Sequence, residues 1–260
     1  RFTTSLPLRR LVAKASQDEL LEIGNKLVRR KMLERAVDVF GRIPSRETPV
    51  NSAKSRMIES YRANPLISPR SLKTLGNRLR LIDFLGENLH RIKKTARMYQ
   101  GSNSEIPDIV YVLWNQGLDV APDIVQACRR QLKRISGRQE IVELDDSNLG
   151  RFLKLEPELL QKLSAHPAHL SDLIRVGLLA NHGGYWLDST VWCEDEINAH
   201  LAGQLGTGFF AYRYDKARIS SWLLAAEKGN YIVSMLFAAL SEYWKENNEL
   251  LGYFMFHDLF

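Results

Sequence analysis

Over the first hundred positions apolar residues recur at three- and four-residue steps, a period that predicts helices joined by short breaks. Asp18 to Phe40 carries this pattern and is closed by Gly41 and Pro44. Ser52–Ala63 is a second helical stretch, ended by Asn64-Pro65. Ser71–Gln100 is the longest, with Leu72, Leu75, Leu79, Ile82, Leu85, Leu89 and Ile92 in one stripe. At Gly101-Ser102-Asn103-Ser104 the period changes. Ile109–Trp114 is a continuous apolar, β-branched run and predicts a buried strand. Pro122 marks a helix start, and the following Asp123–Ile135 is amphipathic. Gln139–Leu144 predicts a second strand and Pro157–Ala165 a helix. Leu170–Asn181 is a strongly apolar helix stopped by His182-Gly183-Gly184, and Tyr185-Trp186-Leu187 is a short strand ending at Asp188. Gly208–Tyr212 predicts a further strand and Ile232–Trp244 a further helix. The alternation argues an open, largely parallel α/β sheet from about residue 105, flanked by helices and preceded by an α-helical region over residues 1–100. In such sheets ligands sit at the carboxyl ends of the strands.

Composition narrows the class. Hydrophobic residues make up 45% and charged residues 25%, proportions that exclude wholesale disorder. No apolar run approaches the roughly 18 residues a membrane span needs, and Arg9, Arg10 and Lys14 break up any signal-peptide core. Two cysteines, Cys128 and Cys193, make neither a disulfide framework nor a zinc site, so the expected setting is reducing and cytoplasmic. Both read as small buried apolar residues. Charge is divided unevenly: residues 1–100 hold 22 Lys/Arg against 9 Asp/Glu, whereas residues 101–260 hold 14 against 21. A cationic half suits nucleic acid, an anionic membrane surface or a phosphorylated ligand, and a solvated helical face has the same look. Nucleic acid is the weakest of these, since few aromatics interleave the charges and no docking motif is present. Arg78, Arg80, Arg91, Lys93, Lys94 and Arg97 cluster on the last helical stretch, which suits docking to an anionic inner leaflet.

Candidate chemistry gathers at two strand ends and one helix. Trp114 closes the first strand with an aromatic plane on which a base or sugar can stack. Asp188 closes a later strand, and alternation along that strand sends Thr190 to the same side. A hard cation such as Mg²⁺ accepts a carboxylate and a hydroxyl together with waters and phosphate oxygens. Asp188 as a plain loop cap remains the competing reading. Asp172 and Arg175 lie three apart on one face of the apolar helix, where burying charge is costly unless it is paired or used. They make either a site or an ion pair bracing the sheet. His257 offers an imidazole on an aromatic segment, as a ligand or as an ordinary histidine. His166 and His169 flank Pro167 in an expected loop, and Trp222, Trp244, Phe237 and Phe256 read as core.

Ser171-Asp172-Leu173-Ile174-Arg175 followed by Gly183-Gly184-Tyr185-Trp186-Leu187-Asp188-Ser189-Thr190 resembles the SDxxR…GGxxxD core of the capsular polysaccharide synthesis protein family and the related family 32 glycosyltransferases. Ile106–Trp114, Ala121–Val125, Leu144–Asn148 and Tyr253–His257 resemble further segments of these enzymes, so the likeness covers about residues 105–260. It implies a GT-A-type (Rossmann-like) open mixed sheet, with residues 101–260 as a nucleotide-sugar-binding catalytic domain behind the basic helical region of residues 1–100. It implies a glycosyltransferase of the hexosyl type, taking a nucleotide-sugar donor, UDP-linked, and a glycan or lipid-linked acceptor in surface or capsular polysaccharide synthesis, with retention of configuration. Trp114 then stacks on the base, and Asp172 and Arg175 hold the donor sugar's hydroxyls. Asp188 matches the first Asp of a DxD motif and Thr190 stands at its second position, so a divalent Mn or Mg ion would be held by Asp188, Thr190 and His257. The threonine also opens an alternative, a catalytically inactive sugar-nucleotide-binding partner of a polysaccharide assembly complex. The implied location is the cytoplasm, peripheral on the inner membrane face.

Overall fold

The computed structural model describes residues 69–101, 105–213 and 218–260, together with Glu19 and Ile23. The helices expected at Asp18–Phe40 and Ser52–Ala63 lie outside the described residues, apart from Glu19 and Ile23, which are both helical. The chain divides into two compact units, residues 1–87 and 88–260.

Helix α1, Pro69–Arg97, crosses that division. In the first unit its buried apolar side chains are Leu75, Leu79, Leu81 and Phe84, and in the second they are Ile92 and Ala96. Leu89, expected in the apolar stripe, is instead exposed. In the second unit Arg91 pairs with Glu246 and, at 3.2 Å, with Glu242, to which Thr95 also donates at 3.2 Å.

The second unit is built on a five-stranded sheet: β1 Ile109–Leu113, β2 Glu140–Leu144, β3 Gly184–Leu187, β4 Phe209–Arg213 and β5 Ile219–Ala226. Spatial order is β2-β1-β3-β5-β4. β1 pairs in parallel with β2 and β3, while β5 runs antiparallel to both β3 and β4. The sheet is therefore open and mixed, and the alternation that argued a largely parallel one holds only for its first half. β5 escapes the pattern because Ile219-Ser220-Ser221-Trp222-Leu223-Leu224-Ala225-Ala226 is buried at six of its eight positions and shows no alternation.

Helices cover the sheet. Val110, Val112, Tyr185, Leu187, Leu223 and Ala225 form one core with Val125 and Leu132 of α2, Asp123–Ile135. Short helices α3, Leu149–Phe152, and α4, Pro157–Leu163, follow β2. α5, Pro167–His182, packs on β3 and β5 and along the later helix α7, Tyr231–Glu246. Because α5 is covered on most sides, eleven of its sixteen residues are buried, which explains its nearly uniform apolar text. Between β3 and β4 lies α6, Ile197–His200, and the last element is α8, Met255–Leu259.

The junction from α5 into β3 depends on two glycines. Gly183 ends the helix at φ 72°, where an added Cβ would lie 2.5 Å from the Lys228 nitrogen. Gly184 has φ 102°, and its Cβ would sit 2.6 Å from the Ile109 carbonyl oxygen of the neighbouring strand. The chain can thus turn from helix into strand without a spacer, fixing α5 over the end of β3. No helix among the described residues is long and apolar enough to cross a membrane.

Candidate functional site

The carboxyl ends of β1 and β3 open into a cavity of about 480 Å³. The end of β1 delivers Trp114, whose backbone N–H donates to the Leu144 carbonyl at 3.0 Å. β3 delivers Asp188 and Thr190, α5 contributes Asp172 and Arg175, and α8 brings His257. These six side chains, all singled out in the sequence, line one cavity. The route to it differs at Thr190. β3 stops at Leu187, so Asp188 and Thr190 belong to a turn closed by the Val191 N–H on the Asp188 carbonyl at 3.0 Å, and strand alternation is not what brings them together. The Asp188 N–H still donates to the Trp222 carbonyl of β5 at 2.8 Å, which anchors the turn to the sheet.

Beneath the cavity floor lies a charged chain. Arg175 donates through Nη1 to Asp172 Oδ1 at 2.6 Å and through Nη2 to Asp188 Oδ1 at 3.1 Å. Nη2 also lies 3.1 Å from Ser171 Oγ. Its guanidinium sits 5.3 Å from the Trp186 ring centroid and 5.9 Å from that of Phe256, so aromatic faces complete the cage. The Trp186 indole N–H donates to the same Asp188 Oδ1 at 2.7 Å. Among the described residues, no hydrogen bond is made to Asp188 Oδ2. Asp188 keeps 34% of its side chain exposed, while Asp172 and Arg175 are buried, so one carboxylate of the chain meets solvent. Burial pushes the Asp172 carboxyl up to about 6; Arg175 opposes the shift and the Asp188 charge adds to it. Arg175 Nε is buried with no hydrogen-bond partner among the described residues.

For a divalent cation the cavity offers Asp188, Thr190 and His257. Among the described residues no group of three or more His, Cys, Asp or Glu side chains is arranged to hold a metal ion. The donor set therefore fits a hard cation only when oxygens of a bound diphosphate and water complete its shell.

A profile of the capsular polysaccharide synthesis proteins matches residues 71–260, most of the chain. The chain belongs to the capsular polysaccharide synthesis protein family. All six cavity residues fall inside the match, as do Gly183 and Gly184. An uncharacterized glycosyltransferase of Acanthamoeba polyphaga mimivirus is 29% identical over 113 residues, which cover 42% of this chain and 43% of that protein. The chain thus aligns with less than half the length of this relative. No solved structure matches.

Several features of this family member's site were not foreseen. Ser221 reaches the cavity from β5, the strand without a periodic signature. Trp186, placed by the sequence only in a short strand, is buried, and its indole N–H fixes Asp188. His169 lies inside α5 rather than in a loop; it is buried against Trp244, with ring centroids 5.8 Å apart, and its Nδ1 is 3.8 Å from Asp172 Oδ2. Burial holds its imidazole down at about 4, so it is neutral at pH 7. Trp244, Phe237 and Phe256 are core as expected, but Trp222 is 38% exposed. Cys128 is buried and Cys193 half-buried. A second hollow, of about 820 Å³, shares Asn115, Gln116 and Pro167 with the first, so an elongated ligand has room to lie across both.

Proposed function

We propose that this protein is a glycosyltransferase of surface or capsular polysaccharide synthesis. It moves a hexosyl unit from a nucleotide-sugar donor, UDP-linked, to a glycan or glycolipid acceptor, with retention of configuration. The observation that carries the reading is the Asp172–Arg175–Asp188 chain, held between aromatic rings at the floor of a cavity that Trp114 also lines. Family membership supports it, as does the glycosyltransferase name of the mimiviral relative.

In this reading the base stacks on Trp114, and the hollow shared through Asn115 and Gln116 gives the nucleoside its length. Asp172 and Arg175 meet the donor sugar's hydroxyls. The bond from the anomeric carbon to the diphosphate oxygen breaks with its electron pair going to the diphosphate, a bond to the acceptor hydroxyl oxygen forms on the same face, and the hydroxyl proton passes to the departing diphosphate. Charge therefore grows on the leaving group, and fixed dipoles and cations aimed at it lower the barrier. Arg175 is pinned by two carboxylates before any ligand arrives, so little reorganisation is required of it. A Mn or Mg ion on Asp188, Thr190 and His257, when bound, would supply Lewis-acid neutralisation of the diphosphate. The exposed Lys93, Lys94 and Arg97 of α1, with the cationic sequence before them, would hold the enzyme peripherally on an anionic, cytoplasmic membrane face.

The test is a thermal-shift panel of UDP-, GDP-, CMP- and dTDP-sugars, with and without Mn²⁺, followed by donor hydrolysis. A ligand that binds the folded state raises apparent stability by mass action. A shift with a UDP-sugar and slow release of UDP is expected. A shift without turnover would instead identify the inactive sugar-nucleotide-binding partner, and no shift with any donor would remove both readings.

A further inference from the structure

A third hollow, of about 230 Å³, opens next to the cavity and is lined by Trp192, Tyr212 and Trp222 together with Glu194, Asp195 and His200. We propose that it is the acceptor subsite and that it takes an uncharged sugar ring of a glycan. This rests on the glycosyltransferase reading above, and its chemistry is separate from that of the donor cavity.

Position is the first argument. Thr190 lines the cavity and Val191 the hollow; Ser221 lines the cavity and Trp222 the hollow. Successive side chains on a strand point to opposite sides, so β5 and the Asp188–Val191 turn form the wall between the two spaces, with chain neighbours about 3.8 Å apart at Cα. Thr190 and Trp192 are exposed, so the rim of that wall is open, and a glycan held in the hollow would reach a donor in the cavity over it.

The surface itself is the second. Trp222 stacks on Tyr212 with ring centroids 4.9 Å apart and planes 15° from parallel, and the Tyr212 hydroxyl is hydrogen-bonded to His200 Nε2 at 2.5 Å. The aromatic pair is thus braced before a ligand arrives. Trp192 is 54% exposed and Trp222 38%, an unusual outlay of large rings at the surface. A pyranose offers a face of C–H groups that lies against such rings and a rim of hydroxyls that donate to carboxylates. Glu194 and Asp195 supply those acceptors.

Charge selects among occupants. Among the described residues no Lys or Arg lines the hollow, and its two carboxylates repel a phosphate, a diphosphate or an anionic lipid headgroup. The same two groups make a purely apolar occupant costly, because they would be desolvated without partners. A neutral, hydroxyl-rich ligand satisfies both surfaces.

The experiment is saturation-transfer NMR on the full chain with neutral malto-, cello-, chito- and manno-oligosaccharides, alone and then with a UDP-sugar. At least one saccharide is expected to bind without donor, and its Kd should rise tenfold or more in Trp222→Ala and in Trp192→Ala. In transfer assays the acceptor KM should rise while the UDP-sugar thermal shift is retained. Trp192 is exposed enough that its truncation leaves the core intact, so it stands if Trp222→Ala does not fold. No binding across the panel, unchanged Kd in Trp192→Ala, or equal competition by anionic phosphatidylglycerol vesicles would overturn the subsite. Donor turnover fails or succeeds independently of this titration, so loss of the glycosyltransferase reading is distinguishable from loss of the subsite.

Discussion

Asp188 concentrates the site's electrostatics in one group: Oδ1 accepts from both Arg175 and Trp186, and the rest of the carboxylate meets the cavity. Asp188→Asn keeps an oxygen for both donors and removes only the charge. The expected outcome is a rate of sugar transfer or donor hydrolysis down by ~10²–10³, with the melting temperature little changed. Activity near that of the parent enzyme would exclude Asp188 from the chemistry. Trp114 makes a different demand. A ring stacked on a base binds ground and transition states alike, so Trp114→Ala should raise the donor KM with kcat nearly unchanged. A fall in kcat alone would assign Trp114 to the core or to the sugar.

At the scale of the element, α5 carries two buried titratable groups displaced in opposite directions. Asp172 is raised from 3.8 to about 6, so the folded state binds the extra proton and this contribution to stability is lost as pH rises through about 6. His169 is lowered from 6.5 to about 4, so the unfolded state binds the extra proton and its contribution is lost as pH falls through that range. Each is worth roughly 3 kcal/mol at full titration, and over pH 4 to 6 they offset one another. Urea midpoints across that range should therefore separate the variants. Relative to wild type, Asp172→Asn should gain stability as pH rises, and His169→Gln should lose it. Parallel profiles for all three proteins would show that neither group is displaced by burial as described. The helix also explains why Arg175 is tolerated in so apolar a setting: it meets two carboxylates and two aromatic faces.

At the scale of the molecule, charge asymmetry is the feature the site does not absorb. Residues 1–100 carry an excess of 13 positive charges, by 22 Lys/Arg to 9 Asp/Glu. Arg91 is committed to Glu242 and Glu246, which leaves Lys93, Lys94 and Arg97 as the exposed cations on that end of α1. Each cation near an anionic bilayer contributes about 1 kcal/mol, screened over about 10 Å at 0.1 M salt. Co-sedimentation with vesicles should rise with phosphatidylglycerol content and fall with salt, and Lys93→Glu with Lys94→Glu should weaken it. Attachment indifferent to both lipid charge and salt, or none, would leave the basic half as a solvated scaffold.

Local pattern in the sequence determined much of this. Periodicity located β1, α2, α5, β3 and α7 to within a few residues, because each buries one face or all faces in a way that repeats along the chain. Strand ends and motif spacing together named six of the residues that line the cavity. Tertiary structure alone decided the rest. β5 is a strand because it is hydrogen-bonded on both edges, to β3 and β4, and not because Ser-Ser and Ala-Ala favour one. That pairing turns the sheet from parallel to mixed, brings Ser221 to the cavity and sets Trp222 at the surface. His169 and Leu89 show the same limit from opposite sides: one polar residue is buried and one apolar residue exposed, because period tells which positions share a face but not what packs against it.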